Sequence, residues 1–194
     1  MPVGKTDIIN NSGKMSFDDG TILQNNRPAY LRNVIKAMLH VGHHEITLVS
    51  PFFSPSIFSR HHYFGKFLDK SIEEGTIIGF VTLPPSQDQL KFFEELAARE
   101  IFVYFHKSLH TKLFLFSINR TTLNKYNKNE ICDTAILGSA NLTESGIGFD
   151  DGPFNEELCY QLPQYKFTEC RQYTTWLINQ SIDFESYRYI QRRI

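Results

Sequence analysis

Long hydrophobic runs are missing from this chain. No apolar stretch in its 194 residues approaches the roughly 20 of a membrane span, and the opening Met1-Pro2-Val3-Gly4-Lys5 lacks the apolar centre of a secretory signal. The expectation is an intracellular, cytoplasmic protein with no membrane partner. Cysteine is sparse as well: Cys132, Cys159 and Cys170 are odd in number, far apart and without a CxxC pair. That pattern argues against a disulfide framework or a zinc knuckle and points to buried free thiols. An excess of one charge is also lacking. With 20 Lys and Arg against 21 Asp and Glu, no chain-wide basic coat is available, so any contact with nucleic acid must be local.

What the chain has in quantity is apolar and aromatic bulk. Hydrophobic residues make up 41% of it, with 17 Phe and nine Tyr, which is enough for one sizeable core and excludes disorder. A single domain over residues 1–194, standing alone or as the N-terminal part of a longer enzyme, is the expectation. Residues 1–26 are polar, rich in Gly, Asn and Asp, and read as irregular.

From Pro28 the pattern becomes periodic. Leu31, Val34, Ile35 and Met38 share one helical face, and Gly42 follows as a stop. A strand is expected at Glu45–Phe52, then a helix from Pro55 to Glu74 closed by Gly75. The run Thr76–Leu83 is almost continuously apolar, as a strand covered on both faces must be. Ser86 with Gln89 resembles a capping box opening a helix to about Arg99, and the strand Ile101–Phe105 follows. This alternation predicts an α/β fold with a mixed, mainly parallel sheet flanked by helices on both faces. In the second half, Thr111–Ile118, Asp133–Ser139 and Glu157–Leu162 read as strands added in antiparallel or mixed fashion. The Asn- and Lys-rich stretch Asn119–Glu130 reads as a loop, and Phe167–Asn179 as a last helix.

Chemistry concentrates in three short stretches. In Leu109-His110-Thr111-Lys112, strand alternation would place the His110 imidazole and the Lys112 ammonium on one face, a pair suited to a phosphate. Gly138-Ser139-Ala140-Asn141 ends a strand, where hydroxyl, amide and backbone N–H groups can converge on an anion. In Asn155-Glu156-Glu157, Glu157 opens the next strand and could accept a hydrogen bond from one ring nitrogen of His110, leaving the other nucleophilic. Glu156 competes for that role from the opposite face. His43-His44 and His61-His62 have no spaced Cys, Asp or Glu to complete a metal site, so surface or helix-end roles are expected and no metal or cofactor is assigned.

These residues resemble the signature of the phospholipase D superfamily, HxK followed by GSxN and an acidic residue. His110 and Lys112 match the first part, Gly138, Ser139 and Asn141 the second, and Glu157 the third. More narrowly the chain looks like the metal-independent restriction endonucleases of the BfiI and NgoFVII type. The Asp that completes HxKx4D in many members is Ser117 here, which weakens an inference of lipid hydrolysis.

The resemblance implies catalytic roles for His110, Lys112, Asn141 and Glu157. His110 would attack phosphorus, Lys112, Ser139 and Asn141 would bind the phosphate oxygens, and Glu157 would orient the imidazole. The family draws its leaving-group acid from a second HxK. This chain has only one, so the resemblance implies a homodimer with one shared active site acting on DNA. The rivals are a non-specific nuclease, a phospholipid-processing phosphodiesterase, and a silent DNA-binding module.

Overall fold

Residues 77–82 form a strand because both of its faces are covered: Ile78 and Phe80 are buried in one apolar cluster and Val81 in another. The computed structural model describes residues 20–24, 30–38, 41–119, 132–148 and 155–193. Eight strands make one sheet: β1 (Thr21–Gln24), β2 (His43–Val49), β3 (Ile77–Thr82), β4 (Ile101–Phe105), β5 (Leu113–Ile118), β6 (Thr134–Gly138), β7 (Leu158–Gln161) and β8 (Ile182–Asp183). Their spatial order is β1-β7-β6-β5-β2-β3-β4-β8. The α-helices are α1 (Tyr30–Met38), α2 (Tyr63–Glu73), α3 (Leu90–Ala97), α4 (Glu144–Ile147), α5 (Phe167–Asn179) and α6 (Phe184–Gln191).

The expectation of a mainly parallel sheet is overturned. Only β2–β3 and β3–β4 are parallel, and the other neighbouring pairs are antiparallel. For β5 the cause lies in the connection that leads into it. A parallel return needs a dozen or more residues, usually with a helix, and the short segment 106–112 between β4 and β5 cannot supply one. The chain therefore turns back and runs along β2 in the opposite sense.

The two faces are covered unequally. Side chains of α1, α2, α3 and α6 share one cluster with Ile46, Leu48, Phe80, Phe114 and Phe116. On the other face, among the described residues, α5 alone of the helices contributes, through Phe167 and Leu177 against Val49, Val81, Leu113, Leu115 and Ala135. The expected flanking of both faces holds, with five of the described helices against one, since Ile147 of α4 also joins the first cluster.

Several boundaries shift for local reasons. The helix expected over 55–74 is broken into a 3₁₀ turn, Pro55–Phe58, and α2. Gly65 lies so close to the preceding turn that a Cβ there would sit 2.1 Å from the Ser59 carbonyl oxygen. His62 opens α2 by accepting the Phe64 N–H at Nδ1 (3.2 Å), the helix-end role expected of that pair. At the other end Gly75, at φ +84°, takes the left-handed turn that closes α2. Arg99 then ties α2 to α3, donating to Asp69 (2.7 Å), the Phe58 carbonyl (2.6 Å) and the Gly65 carbonyl (3.1 Å).

Within the segment expected to be irregular, residues 21–24 pair with β7 as β1; residues 1–19 and 25–26 lie outside the described residues, as do 120–130 of the expected loop. The cysteines are free thiols, but only Cys159 is fully buried. Among the described residues no helix is long and apolar enough to cross a membrane.

Candidate active site

The three stretches singled out in the sequence meet at one edge of the sheet. Val49, the end of β2, pairs with Leu113, the start of β5; Leu113 pairs with Leu137 near the end of β6; and Gly138 pairs with Cys159 near the start of β7. His110 and Lys112 precede β5, Ser139 and Asn141 follow β6, and Glu157 precedes β7. All therefore lie at the edge where the parallel strands β2, β3 and β4 end, the place where ligands bind in open α/β sheets.

His110 and Lys112 are not in the strand, as alternation assumed, but in the irregular approach to it. The ladder continues weakly past β5, with the Gly138 N–H donating to the Lys112 carbonyl at 3.3 Å. The approach is pinned at three points: the His106 N–H donates to the Thr82 carbonyl (2.9 Å), Leu109 is buried, and the Thr111 hydroxyl meets the Tyr173 hydroxyl of α5 at 2.7 Å. Between these anchors the His110 side chain is exposed, and the Lys112 ammonium donates to the His110 carbonyl at 3.1 Å.

Across the strand ends a second cluster forms. The Ser139 hydroxyl donates to Glu157 Oε2 at 2.5 Å and accepts the Leu158 N–H at 3.0 Å, while Asn155 Nδ2 donates to Glu157 Oε1 at 3.3 Å. Of the two glutamates, Glu157 is the one with hydrogen bonds in this cluster. Its described partners are Ser139 and Asn155, not His110. Beside it, burial pushes the Cys159 thiol above its ordinary pKa and the Glu157 carboxylate adds to the effect, so Cys159 stays protonated.

The glycine of the second stretch has a steric reason. A Cβ on Gly138 would fall 2.5 Å from both the Cα and the Sγ of Cys159, its cross-strand partner. The turn after it is held by a residue that sequence reasoning missed. Ser50, fully buried at the end of β2, accepts the Leu142 N–H (2.9 Å) and donates to the Phe52 carbonyl (2.6 Å). The Ser54 N–H reaches the Leu142 carbonyl at 3.0 Å, and Phe53 and Leu142 form a parallel bridge. Asn141 sits in this turn, and its Oδ1 is buried with no hydrogen-bond partner among the described residues. The missed signal was Ser50-Pro51, a small hydroxyl residue ending a buried strand beside a turn.

Ser117 lies near the far end of β5. Its hydroxyl donates to Asp133 (3.4 Å), which also accepts the Ile118 N–H (2.8 Å). Away from the motif, a groove of about 820 Å³ between the 3₁₀ turn and α3 is lined by residues including Arg60, His61, Asp88 and Lys91, and no motif residue lines it.

The fold is shared with known structures. A phospholipase D family member, Nuc from Salmonella typhimurium, is similar with a TM-score of 0.55 and 14% identity, over 85% of this chain and 97% of that one. Phosphatidylserine synthase from Haemophilus influenzae is similar at TM-score 0.56 and 11% identity, over 93% of this chain and 45% of that one. TrmBL2, an archaeal chromatin protein with a novel mode of DNA binding, is similar at TM-score 0.51 and 11% identity, over 84% of this chain and 54% of that one. The fold is thus phospholipase-D-like. No protein-family model and no curated protein matches the chain.

Proposed function

We propose that this chain is a metal-independent phosphodiesterase acting on DNA, a restriction endonuclease or its catalytic domain, working as a homodimer with one shared centre. The observation that carries the reading is the convergence of His110, Lys112, Ser139, Asn141 and Glu157 at the carboxyl edge of the parallel strands. His110 attacks phosphorus in line. A P–N bond forms, the P–O bond to the leaving strand breaks, and the departing oxygen takes a proton from His110 of the partner subunit. Water then attacks phosphorus, the P–N bond breaks, and the same imidazole of the partner subunit receives the proton. Lys112, Ser139 and the Asn141 amide stabilise charge on the non-bridging oxygens, the task a divalent cation performs elsewhere. Glu157 fixes Ser139 and orients an imidazole of the shared centre.

DNA is preferred because the motif lies on an open sheet edge and because TrmBL2, of similar fold, binds DNA. A phospholipid substrate is the second reading, favoured by the likeness to phosphatidylserine synthase. The test is plasmid DNA and phospholipid vesicles side by side in excess EDTA. Cleavage of DNA alone, abolished by His110→Ala, is expected; an absolute need for Mg²⁺, or turnover of vesicles only, overturns the proposal.

A further inference from the structure

Two adjacent phenylalanines follow β2, and the fold treats them oppositely. Phe53 packs against Phe58, Phe80, Phe92 and Phe93, with ring centroids 5.1 to 6.4 Å apart, while Phe52 is 58% exposed. The parallel bridge between Phe53 and Leu142 explains the split. Leu142 is buried in the cluster that Phe53 packs on, so both turn inward, and the residues just before them, Phe52 and Asn141, face the other way. Segments so paired lie about 4.8 Å apart, which sets Phe52 and Asn141 side by side at the edge where the motif gathers.

The backbone under the Phe52 ring is held at several points. The Ser50 N–H donates to the Val81 carbonyl (3.0 Å), the Ser50 hydroxyl to the Phe52 carbonyl (2.6 Å) and the Ser54 N–H to the Leu142 carbonyl (3.0 Å), and Pro51 between them has a fixed φ. A ring with two side-chain torsions on so fixed a backbone loses little entropy when a flat ligand covers it. We propose that Phe52 is a stacking platform for the nucleobase next to the phosphate held by Lys112, Ser139 and Asn141, so that DNA is bound with that base turned out of its own stack. The proposal rests on the DNA reading of the site. A base has an apolar face and a polar edge, which suits one phenyl ring standing beside an amide and the hydrogen-bonded Ser139, Glu157 and Asn155. An acyl chain would need a wider apolar surface than a single ring supplies.

Equilibrium titrations of the full-length protein in excess EDTA test this, with a labelled oligothymidylate and a labelled abasic oligonucleotide of the same length. Phe52→Ala should weaken binding of the first about 10-fold or more and leave the second unchanged, with the urea midpoint unmoved; Phe52→Trp should restore the affinity and Phe52→Leu should not. Trp176→Phe removes the chain's one tryptophan, so Phe52→Trp in that background puts a lone fluorophore on the platform. Its emission should be quenched by unlabelled oligothymidylate and not by the abasic chain. Phe102→Ala, 54% exposed but near the start of β4 at the opposite sheet edge, should change nothing. A wild type that binds neither oligonucleotide, equal affinities for wild type and Phe52→Ala, or an equal loss with both oligonucleotides overturns the platform. So does a loss confined to phospholipid vesicles, which would make the ring a membrane contact. Plasmid cleavage by the wild type with no effect of Phe52→Ala on binding or turnover sinks the platform and leaves the proposed function standing; base-dependent binding lost in Phe52→Ala, with no cleavage by the wild type, does the reverse.

Discussion

His43 offers a prediction independent of any activity. It opens β2 yet is 3% exposed, packed edge-on to Phe67 (6.0 Å) and tilted against Phe116 (5.7 Å), with neither ring nitrogen hydrogen-bonded among the described residues. Burial lowers its pKa from 6.5 to about 4, because a charged imidazole there would lose its water without gaining a partner. The unfolded chain binds the proton more readily than the folded one, so stability is complete above pH 6.5 and declines as the pH falls towards 4. At about 1.36 kcal/mol per pKa unit the loss by pH 4 is roughly 3 kcal/mol, a large share of a typical domain's stability. The assay is urea unfolding of the wild type and His43→Met at half-unit steps from pH 7.5 to 4. The variant should lose this segment of the pH profile, while the losses from Asp88 and Asp183, whose carboxyl pKa values are lowered by hydrogen bonds to Ser86 and Ser186, fall below the window. Parallel profiles for the two proteins would refute the reasoning.

Other substitutions probe the scaffold and the site. Arg99→Ala removes the donors to two backbone carbonyls and one of the two cations beside Asp69, Arg60 remaining at 3.6 Å, and should cost about 1 to 3 kcal/mol in denaturant titration with little change in slope. Gly138→Ala forces a Cβ against Cys159 and should cost about 1 to 3 kcal/mol, with a fall in activity from the displacement of Ser139. Ser50→Ala leaves the buried Leu142 N–H unsatisfied, at about 1 to 3 kcal/mol, and should lower kcat more than it raises KM because the Asn141 turn loosens. Glu157→Gln should cut kcat at least ~10-fold without preventing DNA binding, since it weakens the hold on Ser139 while keeping the shape.

Much of the fold was legible where burial and local signals agree. Ile101–Phe105 and Phe167–Asn179 have the bounds their patterns imply, and Ser86 with Gln89 does form a capping box, the Ser86 N–H donating to Gln89 Oε1 at 3.1 Å, although it opens a 3₁₀ turn, Gln87–Gln89, that runs into α3. Strand direction was not legible, because an apolar run reads alike whichever way its neighbour lies; the brevity of 106–112 accounts for the reversal at β5 alone. Nor was α6. Asp183 caps it by accepting the Ser186 N–H at 2.9 Å, but its inward residues Phe184 and Tyr187 are too few to make a periodic stripe, and it is fixed by tertiary contact of Tyr187 with Phe105 (4.8 Å). At the site, residue types and order located the gathering edge, whereas alternation misjudged how His110 and Lys112 are presented. Glu157's hold on Ser139 depends on the β6–β7 register, which no spacing within one strand reveals.

The account stands on His110 as the nucleophile. The most direct measurement is rapid quenching of the protein with DNA labelled at the scissile phosphate, in excess EDTA, followed by peptide mapping. The prediction is acid-labile label on the peptide containing His110, absent in His110→Ala and chased into product by water. Efficient turnover with inversion of configuration at phosphorus and no label on that peptide would contradict it.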